Sequence, residues 1–310
     1  MKKEYYILTI LIVCLSAYLW FHTENRDNYK LPDIPKIDTS SITSILIEKK
    51  DGPVQFTRKD KNWTLTDKNF PADMNLVEIL LDTLKTFKLT ALVSQTSDLK
   101  RYELDQENQI HVMVTFGEKG RFEFFAGKEA PSFNHTFVML AGDKNVYHAK
   151  GSFRNDFDQD VNAFRDKTIL KVTADAVKQL TVSKGKISKT LNSKESTDKE
   201  KTTVKTWQTA DGKPVDTKTI NDFLASIAYL KCDTYADDNI QNKLNKAAPI
   251  CSIQIDAQEK TQFFLYTLDG SDDTYGTSSL NDYVFVLSDF DAKEIISNIE
   301  TLLGIKPKEK

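Results

Sequence analysis

The sequence predicts an α+β fold built twice: a tandem duplication of a unit with an antiparallel β-meander and two main helices, behind one N-terminal transmembrane helix. Three observations predict it. The stretch Trp63 to Phe116 recurs in diverged form as Trp207 to Ile255. Apolar residues alternate with polar ones through most of each copy, and a Pro-x-Asp triplet, at Pro71 and again at Pro214, opens a run at helical spacing. The third is an uncharged, apolar run from Tyr5 to Phe21, ahead of both copies.

That run follows Met1-Lys2-Lys3-Glu4 and sits at the short end of the roughly 17 to 25 residues a spanning helix needs. Tyr5, Tyr6, Tyr18 and Trp20 suit the interfacial aromatic belt. Lys2 and Lys3 keep the tip in the cytoplasm and send the chain after His22 across the membrane. Ala17-Tyr18-Leu19 is a poor cleavage site, and Ile12-Val13 before Cys14 does not suit a lipoprotein. Residues 1–21 therefore read as an uncleaved anchor, with a cleaved signal peptide as the alternative. Residues 22–41 are polar and interrupted by Pro32 and Pro35, a semi-extended tether.

Residues 42–170 form the first unit. Ile42 to Lys49 alternates as a strand, Asp51-Gly52 is a hairpin turn, and Val54, Phe56, Trp63 and Leu65 continue the alternation. Asp73 caps a helix whose apolar face is Leu76, Val77, Leu80, Leu81, Leu84 and Phe87. Asp98 to Leu104 leads into a meander over Ile110–Phe116, Arg121–Gly127 and Phe133–Lys150, and a helix from Ser152 with Phe153, Phe157, Val161 and Phe164 closes the unit near Leu170. Residues 171–304 repeat the order. Leu180–Val182 and Val204–Thr209 are strands, separated by an insert from Ser193 to Thr203 that reads as a mobile loop. Ile220, Phe223, Leu224, Ile227 and Leu230 form the helix face, and Asp238 to Leu244 stands where Asp98 to Leu104 stood. Ile250–Ile255, Thr261–Thr267 and Asp282–Leu287 form the meander, and Phe290 to Leu303 the closing helix, capped by Ser288 or Asp289. Residues 305–310 are a charged tail.

The chemistry-bearing residues are sparse. Both charge signs are interspersed around a net charge of −3, which gives no field for nucleic acid. Asp156 to Asp160 resembles the start of a calcium loop, but Val161 replaces the turn glycine and Lys167 the closing carboxylate. The run from Asp269 carries no ligand pattern, and His22, His111, His135 and His148 show no ligand spacing, so no metal and no cofactor are expected. There is no G-x-S-x-G elbow, Walker loop or dinucleotide fingerprint, and no residue is assigned as catalytic. Cys232 and Cys251 could make one disulfide in an oxidising compartment or be two small buried hydrophobes. Trp63 and Trp207 hold matching positions as core plugs between sheet and helix, with ligand stacking the alternative.

With strand pair, Trp, Pro-x-Asp helix, D-L-K-R-Y-E-L-D, meander and Phe164 to Leu170 taken together, the chain resembles the bacterial domain-of-unknown-function 4340 family, most clearly in the first unit. The resemblance implies an extracytoplasmic protein on a single N-terminal anchor. It also implies genes beside an ABC-transporter ATPase, a permease and an auxiliary subunit similar to those of gliding-motility transporters. The expected function is a non-enzymatic, membrane-anchored accessory or scaffold protein, with the inner membrane (through residues 5–21) and the permease and auxiliary subunit as partners. The second reading is a periplasmic glycan- or lipid-binding module with a cleft between the repeats, using Trp63, Tyr102, Trp207 or Tyr235. The third is an envelope hydrolase acting through Asp105, Glu107 or His111.

Overall fold

The computed structural model describes residues 2–22, 29–65, 69–96, 98–197 and 203–305. The charged tail beyond Ile305, part of the tether and the centre of the Ser193–Thr203 insert lie outside the described residues. The chain divides into two compact units, Met1–Arg165 and Asp166–Lys310.

The first unit opens with helix α1 (Lys2–His22), then strands β1 (Ile42–Glu48), β2 (Val54–Lys59), β3 (Asn62–Leu65) and β4 (Phe70–Pro71), and helix α2 (Met74–Thr86). Strands β5 (Leu89–Ser94), β6 (Ile110–Phe116), β7 (Gly120–Glu129), β8 (His135–Leu140) and β9 (Val146–Lys150) follow, with a short α3 (Arg154–Phe157). The strands form one sheet in the order β4-β3-β2-β1-β6-β7-β8-β9-β5, antiparallel at each step. Its inner face carries Ile45, Ile47, Val112, Val114 and Phe124, all buried, under Val77, Leu80 and Leu84 of α2.

The second unit contains β10 (Thr168–Lys171), β11 (Gln179–Lys184), β12 (Ile187–Thr197), β13 (Thr203–Thr209), β14 (Pro214–Val215), α4 (Thr217–Ser226), β15 (Tyr229–Lys231) and β16 (Thr234–Tyr235). After α5 (Asp238–Leu244) come β17 (Cys251–Asp256), β18 (Lys260–Thr267), β19 (Thr274–Ser278), β20 (Asn281–Leu287) and α6 (Asp289–Leu303). The sheet order is β14-β13-β12-β11-β17-β18-β19-β20-β16, the first unit's order strand for strand. The fold is α+β with a duplicated unit. Register carries the equivalence to single residues: Ile45 faces Val114 and Ile47 faces Val112, as Leu180 faces Ile255 and Val182 faces Ile253.

The repeat preserves polar contacts as well as apolar ones. Asp73 accepts from the Asn75 and Leu76 amides at 2.9 and 3.4 Å, and Asp216 from those of Lys218 and Thr219 at 3.3 and 3.2 Å, so both Pro-x-Asp triplets cap their helices. A 3₁₀ turn precedes the equivalent strands β1 and β11, at Thr39–Ser41 and Ala174–Ala176. Arg58 donates to the carbonyls of Thr39 and Ser40 while lying 5.8 Å from the Trp63 ring centre. Lys205 does the same to Ala174 and Asp175, 5.3 Å from Trp207. Each tryptophan is thus a buried plate under a cation that holds the first two carbonyls of the turn. Lys49 and Lys184, at equivalent ends of β1 and β11, reach Asp158 and Glu300 on the two closing segments.

Two expectations are corrected. Phe153, Phe157 and Phe164 are buried as their spacing suggests, but only Arg154–Phe157 is helical. Asp160 turns the chain instead, its side chain accepting from the Asn162 amide at 2.6 Å. The last residues of that expected helix, Thr168–Lys171, form a strand paired with β15 in the second unit. The Ser193–Thr203 insert is flanked by ladder, because β12 and β13 stay paired from Lys194–Thr206 to Thr197–Thr203. Among the described residues no helix is long and apolar enough to cross a membrane. The described side chains of α1 run only from Tyr5 to Tyr18, fewer than such a span requires.

Replacing either cap, Asp73→Ala or Asp216→Ala, should lower the urea denaturation midpoint, since each leaves two helix amides without their acceptor. Unchanged midpoints in both variants would contradict the capping assignment.

Candidate functional site

Strand alternation places every second residue of the first sheet on the face turned away from α2. Glu48, His111 and Phe125 are successive partners across β1, β6 and β7 on that face, and Phe125 faces Met139 of β8. Phe137, two residues back along β8, faces His148 of β9. His135 lies on the same side of β8, so three of the chain's four histidines share one sheet face.

His111 is the centre of a charged network. Its Nδ1 lies 2.7 Å from a Glu48 oxygen and its Nε2 2.7 Å from a Glu123 oxygen. Each ring nitrogen thus meets a carboxylate oxygen, one from β1 and one from β7. The second Glu123 oxygen accepts a forked pair from Arg121 at 2.7 and 3.0 Å. Burial pushes the Glu123 carboxyl up, but the bonds from His111 and Arg121 outweigh it and hold the group below the ordinary glutamate value. The imidazole stacks on Phe125 at 4.5 Å and 17°.

Beyond Phe125 the face turns aromatic. The 3₁₀ turn Lys100–Tyr102 lays Tyr102 on Phe137 at 4.9 Å, and Leu104 is buried in a small cluster with Ala130, Phe137 and Val146. A Cβ at Gly127 would lie 2.2 Å from the Tyr102 carbonyl, so only glycine admits this close approach. His148 stacks between Phe137 and His135, at 4.9 and 5.2 Å. Burial, with the neighbouring His135 adding to it, pushes its imidazole below the ordinary value.

The second unit keeps the scaffold of this face but has none of its histidines and neither of the two glutamates beside His111. Leu244, Tyr275 and Val284 form the equivalent cluster under α5. Where Glu48 faces His111, Ser183 faces Ser252, and Gln262 and Lys260 stand where Glu123 and Arg121 stand. Val286 takes the place of His148. The Glu48–His111–Glu123–Arg121 network therefore belongs to one copy only.

The residues singled out in sequence scatter around this picture. Trp63 and Trp207 are buried in separate cores, and Tyr235 is buried with its hydroxyl donating to the Asp166 carbonyl at 2.6 Å. Tyr102 alone of the four borders the first unit's outer face. Asp105 accepts from the Asn108 side chain and closes a local turn, Glu107 is exposed, and neither bonds to His111. Cys232 and Cys251 are both free, and burial pushes their thiols up to about 12 and about 11. Asp158 of the calcium-like stretch pairs with Lys49 at 3.7 Å, and among the described residues no group of three or more His, Cys, Asp or Glu side chains could hold a metal ion. Glu48 and Glu123 escaped notice in sequence. Their only signal is that both occupy outward positions of alternating strands, and the cross-strand register that joins them to His111 is not written in any local motif.

The network exposes Arg121 and Glu48 at its ends, which suits polar docking. Beside Glu48 lies a cleft of about 350 Å³ lined by Leu46, Pro53, Val54, Gln55, Leu65 and Val161. Among known families, one described as Domain of unknown function (DUF4340) matches residues 63–249, from Trp63 through α5. No curated protein and no solved structure matches the chain.

With its value lowered in the fold, Glu123 contributes stability that is fully present above the unfolded glutamate value of about 4.3 and is lost as pH falls through the lower folded value. Glu123→Gln should be less stable than the parent by about 1 kcal/mol at pH 7, and the gap should close below about pH 4. A gap as wide at pH 3 as at pH 7 would contradict the network.

Proposed function

The chain belongs to the family described as Domain of unknown function (DUF4340), and from that membership we propose that it is a membrane-anchored, extracytoplasmic accessory protein of an ABC-type transport system in the bacterial envelope. The observation that carries the anchoring is α1. Ile7, Leu8, Ile10, Leu11, Ile12, Val13 and Leu15 are all more than half exposed along one helix, an apolar surface that water does not tolerate without a lipid or protein partner. The sequence continues this apolar run to Phe21, with Lys2 and Lys3 before it.

A scaffold role is supported by where the aromatic and thiol groups are spent. Trp63, Trp207 and Tyr235 are committed to contacts inside their own units, and Cys232 and Cys251 are inert buried thiols. The outer face of the first sheet, with Glu48, His111, Glu123 and Arg121, is the surface best furnished for a protein partner, because the second copy has no use for those groups in building the same fold. The transporter itself, with its permease and auxiliary subunit, is the part of the proposal that comes from the family resemblance.

Full-length protein expressed in a bacterial host should stay in the membrane pellet through alkaline carbonate, and Ile10→Asp with Val13→Lys should release it. From mild detergent it should carry transporter subunits into the eluate, and His111→Ala should deplete them. Recovery of the parent in the soluble fraction would overturn the anchor, and an eluate without transporter subunits would overturn the partnership.

A further inference from the structure

The two copies differ at the segment that enters each unit. In the second, β10 pairs with β15, Lys171 facing Tyr229 and Leu170 facing Leu230, and the Val172 amide donates to the Ala228 carbonyl at 2.8 Å. The entering strand is thereby closed onto the chain that leaves α4. Counting back from the equivalent 3₁₀ turns, Ile37 stands for Val172, Lys36 for Lys171, Pro35 for Leu170 and Pro32 for Lys167. Proline has no N–H to give to a ladder, so Pro35 cannot supply the amide that Leu170 brings to its pair with Leu230. What remains is a groove of about 520 Å³ between the tether, Leu31–Ile37, and the chain leaving α2, Lys85–Leu89.

The chemistry of that groove is lopsided. Lys36, Lys85 and Lys88 are exposed along it, and among the described residues none of their ammonium groups has an ion-pair partner. Asp33 is the one acidic side chain in the lining, while Leu31, Ile34 and the two prolines supply apolar wall. We infer that this groove receives an anionic lipid, its phosphate held by Lys36, Lys85 and Lys88 and its glycerol and first acyl carbons laid on Leu31 and Ile34. The inference rests on the reading of α1 as a membrane anchor. Leu31 follows the end of that helix by so few residues that the groove lies at most about 30 Å of extended chain from it. Within that length three lysines can reach a surface whose anionic lipids attract basic side chains within a Debye length. The closed ladder of the second copy, which has no membrane segment before it, is the same structure with the seat filled by its own strand.

The test uses the full-length chain in nanodiscs, with Cys14→Ser and an environment-sensitive fluorophore on Thr86→Cys at the groove's rim; Cys232 and Cys251 are buried and do not compete for the label. In discs containing phosphatidylglycerol the probe should shift to the blue, and in pure phosphatidylcholine it should not. High salt should reverse the shift. Dihexanoyl phosphatidylglycerol added to phosphatidylcholine discs should reproduce it, with half-saturation weakened on the order of tenfold or more in the Lys36→Gln, Lys85→Gln, Lys88→Gln variant. Equal emission in both discs, an unaffected triple variant, or an equal response to inorganic phosphate would overturn the lipid site. A shift that needs a co-purified protein would assign the groove to a partner strand and overturn it too. Failure of the chain to enter discs of either composition would instead overturn the anchor, and the lipid site with it.

Discussion

The pairing of β1 with β6, and of β11 with β17, is the interaction on which each unit depends. It joins an N-terminal hairpin to a meander that lies far along the chain, and without it neither half has enough strands to bury its apolar face. Its register decides which residues face α2 and which face away, since a slip of one residue would exchange the two sets. In the first unit that register sets Glu48 against His111, and in the second it sets Ser183 against Ser252. The same backbone constraint thus yields a charged network in one copy and, in the other, a polar surface without its carboxylates and imidazole.

Duplication separates what the fold requires from what one copy has acquired. The helix-capping aspartates, the tryptophan under a cation and the lysine reaching the closing segment appear twice, although the cation comes from β2 in one unit and from β13 in the other. Such convergence marks a structural need: the 3₁₀ turn before β1 and before β11 leaves carbonyls that must be satisfied. The histidines, the two glutamates beside His111 and the open groove under the tether appear once. These are the features that folding does not explain, and they all belong to the unit that follows α1.

Much of this architecture was legible in sequence, and its limits have physical causes. Both Pro-x-Asp caps, the matching tryptophans, the Asp51-Gly52 turn and the Ser288 cap of α6 follow from local rules. The closing segment of the first unit misled because phenylalanines at helical spacing also suit a chain of turns, where aspartates satisfy the backbone in place of a helix. The pairing of Thr168–Lys171 with Tyr229–Lys231 crosses more than fifty residues and has no local signal. The candidate site was hidden for the same reason: Tyr102 and His111 drew notice, but their partners Phe137, Glu48 and Glu123 come from other strands, and only the register reveals them.

The central claim is that two copies of one fold differ in openness where the chain enters them, closed by a ladder in the second unit and left open in the first. Amide hydrogen exchange on the full-length protein tests this most directly. Val172 and Cys232, whose amides donate across the second unit's ladder, should be protected by about a hundredfold or more relative to free peptide. Lys36 and Ile37 should exchange within about tenfold of the free-peptide rate, because no such ladder holds them. Equal protection at the two sites would mean that both units are closed, and would contradict the account.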